Sequence, residues 1–120
     1  MIYLASPYSH PEEAIRYGRF HRVCEVCAKL MMRGLHIYSP IAHTHPVAVC
    51  GEAVRAKMPT DFKVWREYDT WFISRVDAVY VLMLDGWKES VGVTAEIEMA
   101  REYNIPVKYL TAEGDDAGIS

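Results

Sequence analysis

The sequence predicts an α/β fold in which a parallel sheet of four or five strands has helices on both faces. Short apolar segments alternate with longer segments of helical periodicity, which is the order of strand–helix–strand units. In addition, residues 78–84 are apolar on both faces, as a central parallel strand must be. Together these features indicate a three-layer architecture of the flavodoxin-like or Rossmann-like type.

Length and composition indicate a single domain. The chain has 120 residues, of which 51% are hydrophobic and 24% charged, as in an ordinary globular protein. We expect residues 1–110 to form the domain. The Gly- and Asp-rich residues 111–120 are expected to be a loose C-terminal tail.

Charge and cysteine content exclude several classes of protein. A net charge of −3 and a pI of about 5.9 argue against a non-specific nucleic-acid-binding protein, which needs a basic surface. No apolar run approaches the roughly 18 residues of a membrane span, and the first residues lack the basic start of a signal peptide. Three cysteines are too few for a disulfide scaffold, which favours a reducing cytoplasm.

The order of predicted elements locates the edge of the sheet where a ligand would bind. The elements are strand 2–5, helix 11–33, strand 35–38, a helix from Thr60 or Asp61 to about Val76, strand 78–84, helix 93–103 and strand 107–110. Residues 39–60 are less regular and are expected to be functional or to carry a short helix. Parallel sheets bind ligands beyond the carboxyl ends of their strands, so loops 5–10, 38–46 and 85–92 are expected around the site.

The segment after strand 78–84 carries the first group of candidate residues. Ser90 offers a hydroxyl, Gly92 lets the backbone approach a ligand, and the free N–H groups of the following helix favour an anion. The alternative is that Ser90 only caps the helix and Glu96 only complements its dipole. Helical spacing places Glu96 on the same face as Val93 and Ala100, which turns it partly inward.

Asp69 is the second candidate. It interrupts an apolar helix stripe formed by Phe62, Trp65, Phe72 and Val76. Burying a carboxylate is costly unless it is paired or used in chemistry, although Asp69 could also pair with an arginine or border solvent. With Glu96 it would form a pair of inward-facing acids. Paired carboxylates are how proteins cleave bonds at an anomeric carbon.

Three segments carry a resemblance to a known family. They are Ile2–Tyr8, the acids Asp69 and Asp77 before strand 78–84, and the pattern Ser90-x-Gly92-x-x-x-Glu96. In this order and spacing they resemble the nucleoside 2-deoxyribosyltransferase superfamily, which includes nucleoside 5′-monophosphate N-glycosidases. The chain looks closest to a short bacterial branch, although Ser6 stands where many members have glycine.

The resemblance implies a role for each matching residue. Glu96 would be the nucleophile that attacks C1′ of the sugar, Asp69 would position it or handle the proton, and Tyr3 would orient it. Serine at position 90, where members that act on free nucleosides carry an acid, implies a nucleoside 5′-monophosphate as substrate. The resemblance also implies that no cofactor is needed and that the chain forms a homo-oligomer, a dimer or a tetramer.

Other residues of the three loops are weaker candidates. Ser6, Tyr8, His43, His45 and Trp87 could contact substrate, and the two loop aromatics could equally cover the core. His43 and His45 could instead bind a metal with Cys50 or His36, although no recognisable ligand spacing supports this. The Cys24/Cys27 pair lies in the middle of a predicted helix, where core packing is favoured over redox chemistry.

These observations predict an enzyme, an N-glycosidase or a deoxyribosyltransferase, that acts on a small nucleotide. The alternative is a nucleotide-binding sensor module without turnover, because a fold does not establish an activity. A metal-dependent hydrolase using His43 and His45 is a third and weaker hypothesis.

Overall fold

The computed structural model describes residues 1–53 and 62–119, and of residues 52, 53 and 62–64 only the backbone. Its elements in chain order are β1 (Ile2–Ala5), α1 (Glu13–Met32), β2 (Ile37–Tyr38), α2 (Pro40–Ala53), α3 (Phe62–Ile73), β3 (Ala78–Leu82), α4 (Val91–Glu102) and β4 (Val107–Leu110). The predicted helix start at Thr60 or Asp61, and the side chain of Phe62, lie outside the described residues.

The four strands form one parallel sheet in the order β2-β1-β3-β4. The strand order reverses between β1 and β3, because β1 leads to β2 on one side and the chain then returns to add β3 on the other. Tyr3 pairs with Tyr38 on one neighbouring strand and with Val79 on the other. The sheet confirms the predicted α/β fold, and its switch point is where a ligand site is expected.

The sheet separates two cores, as a three-layer fold requires. Alternate residues of β1 point to opposite faces, so Tyr3 and Ala5 pack with residues of α3 and α4, whereas Leu4 packs with α1. The first core consists of Tyr3, Ala5, Ile73, Val76, Val79, Val81, Val93, Ile97, Met99 and Ala100. The second consists of Leu4, Val23, Val26, Cys27, Leu30, Leu82, Leu84 and Leu110.

Helix α1 covers the second core. Its 20 residues are followed by Gly34, whose φ of 88° is the left-handed conformation that commonly ends a helix. Cys27 is buried against the sheet, and burial raises the pKa of its thiol to about 11, which fits packing and not redox chemistry. No helix in the described parts of the chain combines the length and apolar character needed to cross a membrane.

The segment after β2 is more regular than predicted. Pro40–Ala53 forms the helix α2, so His43 and His45 lie on a helix and not in a loop. The sequence signal was present: the Ser39 hydroxyl accepts a hydrogen bond from the Ala42 N–H at 3.1 Å, and Pro40 occupies the first turn. Ser39-Pro40 therefore begins a helix as well as ending a strand.

The C-terminal segment is attached to the domain, in contrast to the expected loose tail 111–120. Asp115 pairs with Lys29 at 3.2 Å and with Arg33 at 3.1 Å, both on α1. Asp116 pairs with Lys108 of β4 at 2.7 Å and forms a bridge with Leu110. The two pairs with α1 join residues 86 and 82 positions apart in the chain, which is why local composition did not predict them.

Candidate active site

The central feature of the switch point is a hydrogen bond between β1 and α4. The Tyr3 hydroxyl donates to Glu96 Oε2. Tyr3 is fully buried and Glu96 is 6% exposed. Glu96 reaches this position because α4 begins soon after β3 and presents Val93, Glu96 and Ala100 to the sheet.

Asp69 completes a group of two acids and a phenol. Burial, and then the nearby charge of Asp69, raises the pKa of Glu96 to about 8, whereas the hydrogen bond from Tyr3 opposes this rise. Burial likewise raises the pKa of Asp69 to about 6, again opposed by Tyr3. Glu96 and Asp69, which the sequence spacing predicted to face inward, therefore lie close to each other around Tyr3. Each has a pKa near the range in which carboxyl groups act as proton donors and acceptors.

The N-terminus of α4 lies beside this group. Ser90 caps the helix, since its hydroxyl accepts a hydrogen bond from the Val93 N–H at 3.2 Å. A Cβ atom placed on Gly92 would lie 3.8 Å from Ser90 Oγ and 4.0 Å from Glu96 Oε1. Ser90, Gly92 and Glu96 thus border one small space. Ser90 therefore caps the helix, as the alternative interpretation predicted, and also lies next to Glu96.

Sequence reasoning missed Tyr38, which lies at the carboxyl end of β2. Its ring is tilted against Tyr3 with centroids 5.8 Å apart, and it stacks on Phe72 of α3 at 4.0 Å. Burial raises the pKa of Tyr38, and Tyr68, Asp69 and Glu96 raise it further. Tyr38 approaches Tyr3 because β2 lies beside β1 in the sheet. The sequence does not reveal this strand order, so it gave no signal for Tyr38.

The two histidines of α2 belong to different groups. The His43 ring is 6.2 Å from that of Tyr38 and lies nearly parallel to Tyr68, at 9° and 6.4 Å between centroids. Residues two apart on a helix point in nearly opposite directions, so His45 faces α1, where it stacks on Phe20 at 4.2 Å. Its Nδ1 is 2.5 Å from the Tyr8 hydroxyl.

The described residues contain no group of three or more His, Cys, Asp or Glu side chains suited to a metal ion. A shared metal site on His43 and His45 also conflicts with their placement, because the two rings contact different aromatic groups.

Two further predicted residues have distinct surroundings. Ser6 is 5% exposed and directly follows β1, so it lies at the carboxyl edge of the sheet. Trp87 packs on the core that contains Tyr3, but its ring contacts Tyr109 of β4, with centroids 5.7 Å apart. Ser6 therefore remains a candidate for ligand contact, whereas Trp87 is placed on the β4 side of the edge.

Arg19 of α1, also missed from the sequence, joins two loops at this edge. Its Nη1 donates to the Ser9 carbonyl at 2.9 Å and its Nη2 to the Asp85 carbonyl at 3.1 Å. Gly86 permits this contact, because a Cβ atom there would lie 2.7 Å from Arg19 Nη2 and its φ is 87°. One guanidinium thus connects the β1–α1 loop with the β3–α4 loop.

Comparison with known proteins gives one family. Residues 1–112 match the family model described as "Domain of unknown function (DUF1937)". The match includes all four strands and the positions of Tyr3, Asp69 and Glu96. No curated protein matches the chain.

Proposed function

The chain belongs to the DUF1937 family, a domain of unknown function, and we propose from the geometry of its site that it cleaves, or transfers across, the N-glycosidic bond of a nucleoside 5′-monophosphate. The observation that carries the proposal is the meeting of Glu96 and Asp69 around the Tyr3 hydroxyl, at the point where strand order reverses. A buried and a half-buried carboxyl group beside one phenol suit attack on a sugar carbon combined with proton handling.

The proposed reaction has two steps. The ionised Glu96 carboxylate attacks C1′, a C1′–O bond forms, and the C1′–N bond breaks with its electron pair going to the base. With pKa values of about 8 and about 6, Glu96 and Asp69 share one proton near neutral pH. Movement of that proton to Asp69 leaves Glu96 ionised, and the departing base then takes up the proton from Asp69. Water then releases the sugar phosphate in a hydrolase, or a second base does so in a transferase. Both outcomes regenerate the Glu96 carboxylate, and neither requires a cofactor.

The N-terminus of α4 supports a phosphate-bearing substrate. The first N–H groups of a helix have no intrahelical partner and attract anions. Ser90 adds a neutral hydroxyl there, where an acidic residue would repel phosphate. A 5′-monophosphate bound at this end would place its sugar near Glu96, since Gly92 leaves space between Ser90 and the carboxylate.

The rings of His43 and Tyr68 support a planar base as the leaving group. They are nearly parallel, with centroids 6.4 Å apart, and both offer ring faces on which a planar base can stack. Tyr68 and Asp69 both act on the Tyr38 hydroxyl, so a base held beside Tyr68 would be near the acid proposed to protonate it.

One observation favours a sensor module without turnover. With a pKa of about 8, Glu96 is mostly protonated at neutral pH in the free protein, and a protonated carboxyl group is a poor nucleophile. The two functions differ in whether base is released, since both include nucleotide binding.

We also propose a homo-oligomer in a reducing cytoplasm. Trp71 of α3 is 55% exposed and Tyr68 is exposed beside it, and exposed aromatic side chains of this size are typical of contact surfaces. Cys24, Cys27 and Cys50 are free thiols, as expected in a reducing compartment.

Incubation with a panel of nucleoside 5′-monophosphates, followed by chromatography for free base, tests the activity. Glu96→Gln keeps the size of the side chain and is expected to lower base release by about 10⁴-fold while still binding the nucleotide. Binding without base release in the wild-type protein would favour the sensor module. Unchanged release by Glu96→Gln would remove Glu96 from the mechanism.

A further inference from the structure

Two buried side-chain oxygens of the described residues have no hydrogen-bond partner in the protein. They are Ser6 Oγ and the Tyr38 hydroxyl oxygen. Both belong to the carboxyl edge of the sheet, because Ser6 follows β1 and Tyr38 ends β2, and these strands are neighbours. Buried hydroxyl groups nearly always find a partner, so two unpaired ones at a single edge require a physical reason.

Packing does not explain the Tyr38 hydroxyl. The ring accounts for the contacts with Tyr3 and Phe72, and phenylalanine would supply the same ring. An unpaired buried hydroxyl costs free energy without contributing to the core.

The surroundings of Tyr38 indicate what its hydroxyl faces. Asp69 and Glu96 both act on it electrostatically, so it is near the two acids. The Tyr68 hydroxyl is close enough to raise the pKa of Tyr38 as a hydrogen-bonding neighbour does, but the geometry between the two hydroxyl groups falls short of a hydrogen bond. His43 and Phe72 lie on its flanks, at 6.2 Å and 4.0 Å between ring centroids. The hydroxyl therefore belongs to a side chain that is near both the acids and the rings proposed to hold the base.

We propose that Tyr38 binds the substrate directly, its hydroxyl donating a hydrogen bond to an acceptor atom beside the bond that Glu96 attacks. This inference rests on the proposed function for the identity of the substrate. Two acceptors lie beside that bond, the 2′-hydroxyl oxygen of a ribose and a ring or carbonyl atom of the base. A site that pairs a buried hydroxyl only when the substrate is bound discriminates strongly against analogues that lack the acceptor.

The variant Tyr38→Phe separates this role from a structural one. If the hydroxyl has no partner in the free protein, its removal leaves the unfolding temperature unchanged or raises it. The affinity for the best-bound nucleoside 5′-monophosphate, measured by calorimetry, is expected to fall about 10-fold, which corresponds to one hydrogen bond. A clearly lower unfolding temperature, or unchanged affinity, would overturn the proposal.

Two control variants and two ligands sharpen the test. Tyr80→Phe removes a phenol from the opposite face of the sheet and is expected to change neither quantity. Tyr68→Phe shows whether Tyr68 is a hidden partner, because it would then lower the unfolding temperature as Tyr38→Phe does. Loss of affinity for ribonucleotides alone assigns the bond to the 2′-hydroxyl, whereas equal loss for 2′-deoxynucleotides assigns it to the base.

Comparing the unfolding temperatures of the wild-type and Tyr38→Phe proteins needs no ligand. It therefore tests the inference even if the proposed function is wrong. Absence of nucleotide binding in the wild-type protein would refute the proposed function. A destabilised Tyr38→Phe protein would refute the inference in either case.

Discussion

The hydroxyl of Tyr3 on β1 donates a hydrogen bond to Glu96 Oε2 on α4, joining residues separated by 93 positions in the chain. This bond favours the ionised carboxylate, whereas burial and the charge of Asp69 favour the protonated form. Burial therefore sets most of the rise in the pKa of Glu96, and Tyr3 and Asp69 adjust it in opposite directions.

Tyr3→Phe should move the ascending limb of the pH–activity profile to higher pH. The variant removes the hydrogen bond that lowers the pKa of Glu96, so ionisation of Glu96 requires a higher pH. Activity at neutral pH is expected to fall by about 10-fold or more. The measurement is kcat/KM for base release across pH 5 to 10, and a limb that stays in place would argue against control of Glu96 by Tyr3.

Asp69→Asn should move the same limb to lower pH. The neutral amide no longer raises the pKa of Glu96 by its charge, so the nucleophile ionises earlier. The maximal rate is nevertheless expected to fall by roughly 10²–10⁴-fold, because the group that carries the proton to the base is lost. A shift in the same direction as Tyr3→Phe would contradict the opposing roles of the two residues.

Much of the fold and part of the site could be predicted from the sequence, because both depend on local periodicity. The apolar segment 78–84 indicated a central strand, which the structure has at Ala78–Leu82. The inward direction of Glu96 followed from its spacing with Val93 and Ala100, and that of Asp69 from its position in an apolar stripe.

The remaining site residues could not be predicted, because they depend on which strands and loops become neighbours. Tyr38 meets Tyr3 only because β2 pairs with β1, and the sequence does not state strand order. Arg19 meets Asp85 only because β1 and β3 are adjacent, which brings their following loops together. His43 and His45 were paired as if in a loop, whereas the helix α2 sends them in opposite directions.

The stability of the protein should decrease as pH rises from about 5 to 8. Folding raises the pKa of Glu96 from 4.5 to about 8 and that of Asp69 from 3.8 to about 6, so the folded state binds more protons than the unfolded state in this range. The stabilising contribution is complete below the unfolded pKa values and is lost as pH rises through the folded ones.

Glu96→Gln is the control for this pH effect, because the amide does not titrate. Its unfolding temperature should depend on pH much less than that of the wild-type protein between pH 6 and 8. Equal dependence in the two proteins would show that other groups cause the effect.

Ser90→Asp should convert the preference from monophosphates to free nucleosides. Aspartate caps a helix as well as serine does, so the stability of α4 is retained, but its charge repels phosphate. We expect the ratio of kcat/KM for monophosphate to that for nucleoside to fall by at least about 10-fold. Ser90→Ala, which loses the cap at a cost of about 1 kcal/mol without adding charge, should largely keep the ratio. A ratio unaltered by the aspartate would place the phosphate elsewhere.

Gly86→Ala should lower turnover, whereas its loss of stability should be no greater than that of Gly34→Ala. Its φ of 87° and that of Gly34, 88°, impose similar strain on alanine, about 1–2 kcal/mol in each case. Only at Gly86 would the new methyl group meet Arg19, at 2.7 Å from Nη2, whereas Gly34 has no atom within 4 Å of such a group. Gly34→Ala is therefore the matched control, with similar loss of stability and normal turnover. Equal turnover in both variants would show that the Arg19 contact is dispensable.

Attachment of the C-terminal segment limits how the protein can be shortened. Gly114 is buried against Val26, since a Cβ atom on it would lie 2.9 Å from Val26 Cγ1, and Asp115 anchors the same segment to Lys29. Deleting residues from 111 onward would uncover part of the apolar face of α1 and remove the partners of three cations, Lys29, Arg33 and Lys108. A truncated chain is therefore expected to self-associate. The mass measured for it by light scattering would reflect association caused by the deletion and not the oligomeric state of the full chain.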